Sequence, residues 1–100
     1  MKIFICDDEP KILSDISSKV NLFFPEAAVS EYTNGKALLE AIAENNCDIL
    51  LLDIDMPEIS GPDIAARLTA LANRPLLVFV TSHDELVYDS LRRKYTKAGR

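Results

Sequence analysis

A chain of 100 residues suits one domain and not two, and a hydrophobic share of 48% supplies a packed core and excludes a disordered chain. The net charge of −5 repels nucleic acid phosphates, which argues against direct DNA or RNA binding. The two cysteines, Cys6 and Cys47, are too few for a disulfide framework and lack metal-ligand spacing, so they read as reduced, buried thiols.

Residues 2–6 are apolar, rich in Ile and Phe, and stop at Asp7, which reads as a buried strand. The same run is too short for a signal peptide, and Asp7 and Asp8 interrupt it at once. From Pro10 the period changes. Ile12, Leu13, Ile16, Val20 and Phe23 fall on one helical face, and Pro25 closes that helix. Residues 27–32 form a weak strand candidate carried by Val29, and Asn34-Gly35 signals a turn. Ala37, Leu38, Ala41 and Ile42 then mark a second amphipathic helix, ending near Asn45-Asn46. Residues 48–52 are a solid apolar run after Asp48, and they end at Asp53. Residues 55–61 contain Pro57 and Gly61 and read as a loop. Pro62 opens a third helix with Ile64, Ala65, Leu68 and Leu71 inward. Residues 76–80 are again wholly apolar and end at Thr81-Ser82. Asp84 is placed to cap a fourth helix carrying Leu86, Val87 and Leu91. The tail from Arg92 to Arg100 is basic and polar and reads as a frayed terminus. No apolar run approaches the roughly 18 residues of a membrane span. The expectation is a soluble, cytoplasmic protein without membrane contact.

Alternating strands and helices imply an α/β fold with a parallel sheet covered on both faces, its first, third and fourth strands buried on both sides. Ligands in such sheets bind beyond the carboxyl ends of the strands. Three strands end there on polar groups: Asp7 and Asp8, then Asp53 with Asp55 just beyond, then Thr81 and Ser82. A single aspartate at such a place is an ordinary cap or turn former, which covers Asp48, Asp63 and Asp84. Several converging carboxylates are another matter. Two of them about 4 Å apart repel by roughly 4 kcal/mol at an effective dielectric near 20, so the cluster asks for a cation or a proton. Hard oxygen donors beside a nucleophile suit Mg²⁺, which also holds phosphate oxygens. A carboxylate in that setting can attack a phosphoryl group, with Thr81 donating to one of its oxygens.

These residues resemble the receiver domains of two-component response regulators. The resemblance rests on Asp7-Asp8, on Leu51-Leu52-Asp53-Ile54-Asp55-Met56-Pro57, on Gly61, and on Val80-Thr81-Ser82, and it covers residues 2 to about 91. The runs 53–61 and 79–85 are similar to regulators with a LytTR-type DNA-binding output. The resemblance implies a flavodoxin-like doubly wound sheet of order 2-1-3-4, with a fifth strand and last helix expected in the family. It implies Asp53 as phospho-acceptor. Mg²⁺ would sit on the side chains of Asp8 and Asp53, on the main-chain carbonyl of Asp55, and on Asp7 through water. Thr81 would be the switch hydroxyl. A sensor histidine kinase would be the donor, an output domain the recipient of the signal, and the domain a self-phosphorylating switch and not a turnover enzyme. A homodimer through the fourth helix or the open sheet edge is a further expectation.

The family places a lysine at the end of the fifth strand, about twenty residues past Thr81. Lys94 and Lys97 come too early and lack an apolar strand before them. The whole chain, 1–100, is therefore expected to be one receiver domain incomplete at its C-terminus. Two alternatives stand beside this reading. A receiver that is not phosphorylated would serve as a protein-interaction module. Asp53-Ile54-Asp55 is also similar to the nucleophile motif of haloacid-dehalogenase-type phosphatases, although Met56-Pro57 stands where that family has Gly-Thr/Val.

Overall fold

In the computed structural model, residues 1–80 are described. Their elements run β1 (Lys2–Cys6), α1 (Pro10–Phe23), β2 (Ala28–Tyr32), α2 (Gly35–Glu44), β3 (Ile49–Asp53), α3 (Gly61–Leu68) and β4 (Leu76–Val80). The strands form one parallel sheet of order β2-β1-β3-β4, as the doubly wound reading expects. The expected fourth helix, Thr81, Ser82, Lys94, Lys97 and the basic tail lie outside the described residues.

The pleat sorts the side chains between two cores. Phe4, Cys6, Leu50, Leu52 and Phe79 face α2 and α3, where Leu38, Ile42, Ile64 and Leu68 meet them. Ile3 and Ile5 face the other way and pack with Leu13 of α1. β1 is buried at four of its five positions, which explains its unbroken apolar sequence.

Helix boundaries follow local chemistry. Pro10 occupies the first turn of α1, where its missing N–H costs nothing. Asn34 caps α2 by accepting the Ala37 N–H on Oδ1 at 2.8 Å. Ser60 caps α3 in the same way, accepting the Asp63 N–H on Oγ at 3.2 Å.

Four expectations are corrected. Phe23 is not inward: as the last residue of α1 it is 73% exposed, beside exposed Leu22, because the buried face of the helix ends before its last turn. The third helix stops at Leu68, and Leu71 lies in the following turn, its N–H bonded to the Leu68 carbonyl at 3.0 Å. β4 is not covered at both ends, since Leu76 at its start is 64% exposed. Asp48 neither caps nor turns. Its Oδ2 accepts the Lys2 main-chain N–H at 2.8 Å and ties the start of β1 to the start of β3. Among the described residues, no helix is long and apolar enough to cross a membrane.

Candidate functional site at the carboxyl edge of the sheet

The register of the central strands builds the site. The β1–β3 ladder ends with Cys6 opposite Leu52, so Asp7 and Asp53 leave the sheet at the same level. Beyond that pair the strands part. The Asp7 N–H turns to the Tyr32 carbonyl at 3.0 Å, while the Ile54 N–H turns to the Val80 carbonyl at 3.3 Å. The crevice between them is the place where the sheet's connections reverse direction, the usual ligand position in open α/β sheets.

Asp7, Asp8 and Asp53 converge in this crevice, each with a carboxylate oxygen within 4.8 Å of the others. Asp7 is buried, 3% exposed, and the other two are half-buried. Asp7 Oδ1 accepts the Glu9 N–H at 2.9 Å, and Asp53 Oδ1 accepts the Asp55 N–H at 3.3 Å. Burial, and next the negative charge of Asp7, push the Asp53 carboxyl up to about 7, against the pull of the Asp55 N–H. Burial also raises Asp7 above the usual carboxylate range, with Asp8 adding repulsion. Below the acids, burial pushes the Cys6 thiol up to about 12, which leaves it an uncharged core group.

The structure thus gathers Asp7, Asp8 and Asp53 as the sequence expects. Asp55 is exposed and is not among the converging carboxylates. Thr81 lies outside the described residues, one position past Val80, which pairs with Asp53 across β3 and β4.

Two backbone features here lay beyond sequence reasoning, one in the loop and one at the first residue of α3. Glu58 has φ of 71°, a left-handed conformation that costs a branched or long side chain roughly 1 kcal/mol. Gly61 is needed for close approach: a Cβ there would meet the Asp53 carbonyl oxygen at 2.5 Å. The Gly61 N–H bonds the Ile54 carbonyl at 3.0 Å, so α3 begins directly against the main chain of Asp53. The motif spacing pointed to Gly61 only as a loop residue.

Residues 3–99 match the response regulator receiver domain family. The chain is 31% identical over 85 residues to the transcriptional regulatory protein LytR of Staphylococcus aureus, covering 85% of this chain and 35% of that protein. It is 34% identical over 85 residues to the sensory transduction protein LytT of Enterococcus faecalis, with the same coverage of each. Both matches agree with the LytTR-type likeness of the runs 53–61 and 79–85. The chain spans about a third of the length of these relatives. The fold is also that of the response regulator TrrA of Thermotoga maritima, solved in complex with Mg²⁺ and BeF, at a TM-score of 0.74 and 24% identity over 97% of this chain and 78% of that one. The described sheet order, the aspartates at its carboxyl edge and the family match over residues 3–99 lead to one conclusion: the chain belongs to the receiver domains of two-component response regulators.

Proposed function

We propose that this domain accepts a phosphoryl group on Asp53 from a histidine kinase, with Mg²⁺ bound, and switches an output surface. The observation that carries the proposal is the convergence of Asp7, Asp8 and Asp53 within 4.8 Å at the carboxyl edge of the sheet. The donor set fits the ion. Its oxygens are hard, and burial, followed by the negative charge of Asp7, holds Asp53 up near 7 without a cation. Asp8 and Asp53 would hold Mg²⁺ by their side chains, Asp55 by its main-chain carbonyl and Asp7 through water. The ion would supply positive charge that keeps Asp53 ionised and offsets the charge of the incoming phosphate.

The chain's own residues do the rest. An ionised Asp53 oxygen forms the bond to phosphorus as the phosphorus–nitrogen bond of the donor phosphohistidine breaks. The imidazole leaves with that electron pair and takes up a proton, and an acyl phosphate remains on Asp53. Thr81, next after the Asp53 partner Val80, would donate its hydroxyl to a phosphoryl oxygen and so report the modification. The Asp55 N–H on Asp53 Oδ1 holds the carboxylate in one orientation, which favours attack by the other oxygen.

In this reading residues 1–100 are a receiver domain, a signalling unit whose chemistry is its own modification, acting in the cytoplasm. The name of LytR, a transcriptional regulatory protein, supports an output that regulates transcription, for which a DNA-binding domain in the full-length protein is our reading. Titration with beryllofluoride and Mg²⁺, followed by fluorine NMR, tests the site. The wild-type chain is expected to show a Mg²⁺-dependent bound resonance that Asp53→Asn lacks. A bound resonance of equal size in the variant would place the ligand elsewhere and sink the proposal.

A further inference from the structure

Cys6 closes β1 and stands directly before Asp7, while Met56 stands directly after Asp55. Both are buried, 1% and 9% exposed, and both belong to the core beneath the crevice. Across 50 positions of sequence, the Cys6 thiol donates to Met56 Sδ at 3.7 Å. Within the loop of residues 54–60, Met56 is the buried side chain, whereas Asp55, Pro57 and Glu58 are exposed. Ile54 and Ile59 also pack against this core but are only partly buried, so Met56 is the most deeply buried of the loop's anchors.

The place of the contact gives it a function. The last ladder pair between the central strands is Cys6 with Leu52. Past it, main-chain hydrogen bonds draw the Asp7 side toward β2 and the Ile54 side toward β4. The main chain on the two sides of the carboxylate crevice thus bonds to different outer strands, and the sulfur contact joins the two sides. A thioether suits this task, because an unbranched, polarisable chain fills an irregular gap without strain.

We propose that Cys6 and Met56 are positioning residues for the metal: their contact sets the separation between Asp7-Asp8 on one side and Asp53-Asp55 on the other. The inference rests on the reading of the crevice as a Mg²⁺ site. It assigns the thiol and the thioether no contact with the ion. They act by holding two main-chain segments, as outer-shell groups do when they orient the ligands of a metal.

Calorimetric titration of MgCl₂ into the full chain tests this, with urea unfolding of each variant alongside. Cys6→Ala removes the donor, and Met56→Leu keeps nearly the same volume while removing the sulfur. Cys47→Ala is the control, since Cys47 is a buried thiol of the same core placed before the opposite end of β3. Cys6→Ala and Met56→Leu are expected to weaken Mg²⁺ binding roughly tenfold. Cys47→Ala is expected to lose stability like Cys6→Ala and keep wild-type affinity. Wild-type affinity in Cys6→Ala would overturn the inference, as would equal weakening in Cys47→Ala, which would mark a general loosening of the core. A wild-type chain that takes up no Mg²⁺ would instead remove the metal reading itself, and the inference with it.

Discussion

The Asp53 carboxyl holds its proton to about pH 7 through burial and the charge of Asp7, whereas an unfolded aspartate releases it near 4. Between those two values the folded chain binds more protons than the unfolded one, so this group's contribution to stability falls as pH rises across the window. Asp7, also raised by burial, acts in the same direction. Urea midpoints without metal are therefore expected to drop from about pH 4 to about pH 7 more in the wild type than in Asp53→Asn, and Mg²⁺ is expected to reverse the drop only in the wild type. Equal pH profiles for the two proteins would contradict this account of the cluster. Gly61 makes a second claim at the same scale. Gly61→Ala forces a Cβ onto the Asp53 carbonyl, so it is expected to destabilise by roughly 1–3 kcal/mol in urea unfolding and to weaken Mg²⁺ binding, because the backbone that must yield carries the acceptor. Gly35 serves as its comparison. A Cβ there meets the side chains of Ile59 and Ile64 and no main-chain atom of the site, so Gly35→Ala is expected to spare the metal.

The elements show what a linear pattern can and cannot carry. Apolar runs ending on aspartate disclosed β1 and β3 because a strand buried on both faces has no other way to be written. The helical period found α1, yet it placed Phe23 inward, since periodicity tells which face a residue is on and not where the sheet beneath it ends. The difference is measurable. Leu13→Ala is expected to cost about 2–5 kcal/mol, since Leu13 is buried among Ile3 and Ile5, whereas Phe23→Ser is expected to stay within about 0.5 kcal/mol. A large loss for Phe23→Ser would mean that the last turn of α1 is covered after all. Asp48 shows a related limit: a carboxylate at a strand start bonds whichever main-chain N–H lies beside it, and Lys2 is 46 positions away. The cap of α3 shows the limit of local signals in another way. Pro62 disclosed that a helix begins, but Ser60 does the capping, and Ser60→Ala is expected to cost about 1 kcal/mol in thermal or urea unfolding.

For the molecule as a whole, the sheet order was legible through the resemblance to receiver domains, and the gathering of Asp7, Asp8 and Asp53 because parallel strands bring their carboxyl ends to one edge. The close packing of that edge was not. The approach of Gly61 to Asp53, the left-handed Glu58 and the sulfur contact beneath the acids all depend on how a loop folds back on the sheet, which no spacing rule encodes. They nevertheless bear on the central claim, because each constrains the main chain that presents Asp53. The most direct test of that claim is the intact mass and peptide map of the chain after treatment with acetyl phosphate and Mg²⁺. The account predicts one added phosphoryl group, mapped to Asp53 and absent from Asp53→Asn or when Mg²⁺ is withheld. An unmodified wild-type chain, or equal modification of the Asp53→Asn variant, would contradict it.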